Sequence, residues 1–252
     1  MKPPFTLALA LLLASCAGSP PHGPQALAPL AVRTEYLPLV DSVRQRAVPV
    51  VLYVPAAGAA RAHPKAAIIS HGYGGQHTDY AFIAQNLVAH GYFVASIQHE
   101  LPTDAPLPTT GNPRQVRRPN WERGVQNMLF VRQALHQRYP RVDFSQLLLV
   151  GHSNGGDMAM LFAEEYPALV RRVISLDNRR MPLPRARRPR VLSLRSSDQV
   201  ADSGVLPTLA EQRRFRTTII TLPHTMHNDM WDGATPAQKQ EINAYITRFL
   251  TQ

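Results

Sequence analysis

Cysteine occurs once in the 252 residues, at Cys16, so no disulfide can form within the chain and the fold must rest on its apolar core. Long apolar runs are missing too: Phe5 to Leu13, near the start, is shorter than the roughly 20 residues a membrane-spanning helix needs. No stretch repeats itself, which sets aside solenoids and propellers. Negative charge is in short supply, with 17 Asp and Glu against 27 Lys and Arg and a formal net charge of +10. The arginines cluster at Arg114, Arg117 and Arg118, at Arg171 and Arg172, and from Arg179 through Arg180, Arg185, Arg187 and Arg188 to Arg190. They sit in Pro-rich loops without a recognition helix or interleaved aromatics, so nucleic acid is not the expected partner. Solvated surface charge or contact with anionic lipid headgroups accounts for them better.

What is present is a sequence of strands alternating with helices. Thr34 to Leu39 and Ala47 to Tyr53 read as an opening antiparallel hairpin, and Ala66 to Ser70 and Tyr92 to Ile97 as buried strands around a helix from about Asp79 to His90. A Pro-rich segment from Glu100 to Pro119 lacks periodicity and predicts a surface loop or a partial cover over a cleft, not a folded lid. Trp121 to Arg138 is the next helix. Gln146 to Val150, Val173 to Leu176, Val191 to Leu194 and Thr218 to Leu222 are further strands, with a helix near Leu206 to Arg213 before the last. Thr235-Pro236-Ala237-Gln238 opens the final helix as a capping box, and Ile242, Tyr245, Ile246 and Phe249 form its apolar face. This order predicts an α/β fold, a mostly parallel sheet covered by helices on both faces, with ligand chemistry at the carboxyl ends of the strands.

One junction carries most of the functional information. Leu147-Leu148-Leu149-Val150 runs into Gly151-His152-Ser153-Asn154-Gly155-Gly156 and then into a helical segment, the context in which Gly-x-Ser-x-Gly is a nucleophile elbow. A serine on a cramped strand-to-helix turn leaves no room for bulk two positions to either side, which Gly151 and Gly155 satisfy; Gly156 relieves the next contact. Ser153 is the candidate nucleophile. A serine hydroxyl needs a base to take its proton, and the histidines that follow it are His224 and His227.

His71-Gly72-Tyr73 together with the elbow resembles the α/β-hydrolase family over the whole of residues 32–252. Within it the motifs are similar to the group of dienelactone hydrolases, bacterial polyester hydrolases, chlorophyllases and platelet-activating-factor acetylhydrolases. The resemblance implies the α/β-hydrolase fold, a Ser-His-Asp triad in chain order and an acyl-enzyme, with no metal and no cofactor. It assigns the base to His227, in a His-Asn-Asp turn after the last strand, and leaves His224 as a structural imidazole bonded to backbone. It favours Asp198 as the acid, after the strand Val191 to Leu194. Asp177, ending the preceding strand, is the alternate used by acetylhydrolase-like and chlorophyllase-like members; otherwise it would be a loop carboxylate paired with Arg179 or Arg180. Asp202 and Asp229 are more remote choices. The oxyanion donors implied are the amides of Tyr73 and Asn154. The Tyr73 ring and Trp231 could wall the acyl pocket, although ordinary packing is the expected role of Trp231.

The start of the chain predicts a targeting segment, with Lys2 ahead of an apolar run and then Leu13-Ala14-Ser15-Cys16. This resembles a bacterial lipoprotein signal, which implies removal of residues 1–15, lipidation of Cys16 and a place in the cell envelope, anchored to the membrane and facing the periplasm or exterior. Residues 16–31, rich in Pro, Gly, Ser and Ala, would be a flexible tether. The expected activity is cleavage of a small-molecule or lipid carboxylic ester. A phospholipid or platelet-activating-factor-type acyl hydrolase and a noncatalytic envelope binding protein on the same fold are the alternatives.

Overall fold

The computed structural model describes residues 31–56 and 63–252. Eight strands form one sheet in the order β1-β2-β4-β3-β5-β6-β7-β8: β1 Val32–Asp41, β2 Arg46–Pro55, β3 Lys65–Ser70, β4 Tyr92–Ile97, β5 Asp143–His152, β6 Val170–Leu176, β7 Arg190–Arg195 and β8 Thr218–Thr221. The hairpin β1–β2 and the β2–β4 pair are antiparallel, and every other pairing is parallel. Six helices accompany them: α1 Ala81–Ala89, α2 Pro113–Val116, α3 Arg118–Arg138, α4 Ser153–Glu165, α5 Leu209–Phe215 and α6 Pro236–Leu250. Among the described residues no helix is long and apolar enough to cross a membrane.

Parallel strands need covered faces, and the residues of β3, β4 and β5 alternate between two cores rather than between core and water. Ile68, Ala95, Leu147 and Leu149 point to one core, closed by Trp121, Val125 and Met128 of α3 and Phe162 of α4. Ile69, Val94, Leu148 and Val150 point to the other, closed by Ile83 and Leu87 of α1 and by Ile242, Ile246 and Phe249 of α6. The double coverage explains the near-continuous apolar runs in the central strands. The Pro-rich segment after β4 is not wholly irregular. Asn112 accepts a hydrogen bond from the Arg114 amide at 3.0 Å and Pro113 takes the first helical position, which starts the one-turn helix α2.

The strand register sets the site. Ser70, Gly151, Ser175 and Ser193 lie level across β3, β5, β6 and β7, so the residues just beyond them emerge together along the carboxyl edge. The His71–Gly75 loop, the elbow, the Asp177 turn and the Asp198 loop all leave from that edge. Cys16, the leader and the tether as far as residue 30 lie outside the described residues.

Candidate active site

Ser153 stands where β5 passes directly into α4, with φ at 52°, in the left-handed region. The elbow is closed by contact: a Cβ on Gly151 would come within 3.0 Å of the backbone of Gly155 and Gly156, and one on Gly155 would come as close to the carbonyls of Ser70 and His71. These two positions admit no side chain, which is the physical content of the Gly-x-Ser-x-Gly pattern.

His227 lies in a single 3-10 turn, His227–Asp229, that follows β8. Its Nε2 is 2.8 Å from Ser153 Oγ and its Nδ1 is 2.6 Å from Asp177 Oδ2. Because a carboxylate can only accept, Nδ1 carries the proton and Nε2 is free to accept from the serine hydroxyl. The carboxylate facing the imidazole is therefore Asp177 and not Asp198, which corrects the choice the resemblance favoured and falls on its alternate. Asp198 is exposed and its Oδ1 accepts the main-chain N–H of His227 at 2.7 Å, so it holds the loop and not the ring. Asp202 pairs with Arg180, and Asp229 accepts the Met226 amide at 3.1 Å and the Gln238 side chain at 3.2 Å.

Asp177 reaches the ring because its own backbone is left-handed, with φ at 57°, turning its side chain back over the end of the sheet. Burial pushes its carboxyl up, but the His227 hydrogen bond, the Arg195 charge and the Ser196 hydroxyl and amide outweigh this and hold it below the ordinary carboxylate range. The Arg195 guanidinium is 2.7 Å from Asp177 Oδ1, and Ser196 Oγ is 2.7 Å from Oδ2. Its cationic partner is thus Arg195 and not the Arg179 or Arg180 that follow it in the chain.

Two further networks fix the surroundings. His152 Nε2 lies 3.0 Å from the His227 carbonyl and must donate to it, so His152 Nδ1 is bare and accepts the Tyr80 hydroxyl at 2.7 Å. Tyr80 Oη accepts the Gly72 N–H at 3.2 Å. One chain of hydrogen bonds thereby ties the β3 loop, the elbow and the histidine loop together, and burial drives His152 down to about 3, so it stays neutral. On the other side, Asn154 Oδ1 accepts the Trp121 indole N–H at 2.8 Å, while its amide donates to Asn120 at 2.8 Å and to Glu100 at 3.3 Å. Tyr80, Trp121, Asn120 and Glu100 were not singled out from sequence. Trp121 carried a usable signal, since a buried indole must find an acceptor. The other three become informative only once the loops are in place.

Residues 62–176 match the family model Hydrolase_4, described as serine aminopeptidase, S33. Among solved structures the chain is similar to a ferulic acid esterase from Streptomyces cinnamoneus, at 18% identity and a TM-score of 0.63, covering 90% of this chain and 91% of that one. A dienelactone hydrolase-like promiscuous phosphotriesterase from metagenomic libraries gives 16% identity and a TM-score of 0.63, covering 88% of this chain and 98% of that one. Fungal esterase from Rhizomucor miehei gives 13% identity and a TM-score of 0.63, with 90% and 84% covered. The fold is the α/β-hydrolase fold. No curated protein matches the chain by sequence.

In this α/β-hydrolase fold the cleft over Ser153 has a volume of about 160 Å³, and Tyr73 and Asn154 line it together with the serine. The Asn154 amide belongs to the first turn of α4, whose N–H groups have no partner within the helix. The Tyr73 hydroxyl accepts the Leu107 amide at 3.0 Å, so the ring joins the β3 loop to the Pro-rich segment. Trp231 is 42% exposed and is not a core anchor, contrary to the expectation from composition. His224 is exposed as well; the hydrogen bond found there is made by its carbonyl, which accepts from Gln238 at 2.9 Å. Among the described residues no group of three or more metal-ligating side chains comes together.

Proposed function

We propose that the chain hydrolyses carboxylic esters through an acyl-enzyme on Ser153. The observation that carries this reading is the unbroken line from Ser153 Oγ to His227 Nε2 at 2.8 Å and from His227 Nδ1 to Asp177 at 2.6 Å. His227 takes the hydroxyl proton as Oγ bonds to the ester carbon, and the amides of Tyr73 and Asn154 receive the negative oxygen. The alcohol C–O bond then breaks and the alcohol leaves with the proton held on His227; water repeats the sequence and frees the acid. Asp177 fixes the tautomer and stabilises the imidazolium.

Two of the similar structures described above are esterases by their own description, which supports an ester as the bond cleaved. The description of the matched family model makes aminoacyl anilides the proper control. Ser153→Ala should reduce p-nitrophenyl ester turnover by several orders of magnitude and abolish fluorophosphonate labelling while circular dichroism stays unchanged. Wild-type protein that is neither labelled nor active would favour the noncatalytic envelope protein, and faster turnover of anilides than esters would replace the ester reading.

A second reading is a phospholipid or platelet-activating-factor-type acyl hydrolase, favoured by Asp177 facing His227, the acid position that the resemblance gives to acetylhydrolase-like members. Lipidation of Cys16 and anchoring in the bacterial cell envelope belong to the same proposal. Radiolabelled palmitate should enter the wild type and not Cys16→Ala; an unlabelled wild type expressed in a bacterial host would remove the anchor from it.

A further inference from the structure

The cleft beside Ser153 is lined by three arginines, Arg117, Arg179 and Arg180. They come from two separate parts of the chain: Arg117 from the α2–α3 junction, Arg179 and Arg180 from the turn just after Asp177. The turn is anchored from below. Asp157 of α4 is buried, and its Oδ1 accepts the amides of Arg180 at 2.9 Å and Met181 at 2.8 Å and the side-chain amide of Asn178 at 3.3 Å. The two arginines are therefore presented by a backbone fixed against the same helix that carries the nucleophile.

Charge within the cleft is not balanced. Arg180 pairs with Asp202, whereas Arg179 bonds the neutral side chain of Gln199 and Arg117 donates through Nε to the Pro108 carbonyl at 3.0 Å. Among the described residues no carboxylate lies within the 4.0 Å ion-pair distance of Arg117 or Arg179. Burial and the nearby charges of Arg180 and Arg179 lower the pKa of Arg117, with Asp157 and Asp202 only partly offsetting them, so the charged groups of the cleft sense one another. Asp157 and Asp202 supply two opposing charges against three arginines, and Oδ1 of Asp157 is already occupied by three N–H donors. Like charges gathered in a small, partly desolvated space repel, and an anion that enters relieves the repulsion while accepting planar, forked hydrogen bonds.

We infer that this cleft is an anion subsite, so that the preferred esters carry a carboxylate or a phosphate within a few bonds of the scissile carbonyl. The inference rests on the hydrolase reading above and deepens it to a substrate class. The small volume restricts the anionic arm to a short one, and the arginine pair Arg117 and Arg179 supplies the discrimination.

Matched esters test this. On the alcohol side, 4-acetoxybenzoate and 4-acetoxyphenyl phosphate are compared with neutral 4-acetoxybenzamide; on the acyl side, mono-(4-nitrophenyl) adipate with 4-nitrophenyl hexanoate. The readout is the ratio of kcat/KM for the anionic member over the neutral one, at low salt. We expect at least one ratio of about tenfold or more, shrinking as salt is added. It should fall toward one in both Arg117→Gln and Arg179→Gln and persist in Arg187→Gln, which removes an exposed arginine outside the cleft. The pair that responds tells whether the anion belongs to the alcohol or the acyl part, and the phosphate arm separates phosphate from carboxylate. Ratios near one in the wild type, or ratios that survive both substitutions, overturn the subsite and leave the hydrolase standing. Absence of turnover with every ester, neutral and anionic, overturns the hydrolase reading, and the subsite falls with it.

Discussion

Ser153 and Asp177 both hold a left-handed backbone without being glycine, each at a cost of roughly 1–2 kcal/mol. The strain is tolerable because the turns that hold them are buried, and it delivers a hydroxyl and a carboxylate to opposite nitrogens of one imidazole. Asp177→Asn is expected to lower kcat on the order of 10⁴-fold with little change in KM, as the amide would favour the wrong tautomer. It should also destabilise the fold by about 3 kcal/mol, because Arg195 is left buried without its partner. Asp198→Asn keeps an oxygen for the His227 amide and should change kcat only a few-fold; the opposite ranking in paired kinetics and thermal melts would return the role to Asp198. Tyr80→Phe removes the hydroxyl between Gly72 and His152 and leaves two buried groups unpaired. A loss of about 2 kcal/mol in stability and a tenfold to hundredfold fall in kcat are expected, and unchanged melts with unchanged kcat would show that the link is idle.

At the scale of elements, the elbow was legible because its requirement is local: an apolar strand, two positions without room for a Cβ, and a helix. The acid was not, because β6 and β7 lie side by side with Leu176 opposite Leu194, and the strand ends alone leave two aspartates near one loop. What separates them is a single backbone angle at Asp177, which no spacing rule encodes. Strand positions read from periodicity correspond closely to those observed, while β5 starts earlier than its apolar run, at Asp143, and α2 was missed because its start depends on an Asn-Pro cap inside a Pro-rich segment. The cap of α1 was equally invisible. Tyr80 precedes the helix without capping it, and Asp232, 151 and 150 residues away, accepts the amides of Ala81 at 2.8 Å and Phe82 at 3.0 Å. This long-range cap fastens the histidine loop to α1. Asp232→Ala should lower stability by about 1–2 kcal/mol, or roughly 4 °C in Tm by calorimetry, and a melt identical to wild type would show that solvent replaces it fully.

Across the whole molecule, the buried ionisable groups set opposing dependences of stability on pH. Burial lowers His71 to about 4 and His152 to about 3, so the unfolded chain binds more protons than the folded one below the ordinary histidine range, and their contribution is lost as pH falls from about 6.5. Burial raises Glu100 to about 7, with the Arg123 charge and the Asn154 hydrogen bond only partly offsetting it, and raises Asp157 to about 6. For these two the folded state holds the extra proton: their contribution is full below pH 4 and is lost as pH rises from about 4 to 7. In the wild type the two slopes work against each other between pH 4.5 and 6.5, and above that range the ionisation of Glu100 continues alone. Glu100→Gln keeps a neutral side chain beside Asn154 and removes one falling limb. Its Tm relative to wild type should therefore rise with pH, by on the order of 5 °C between pH 5 and pH 8. Scanning calorimetry of both proteins at the two pH values measures this directly, and a difference that stays constant with pH would mean that Glu100 ionises as an ordinary glutamate.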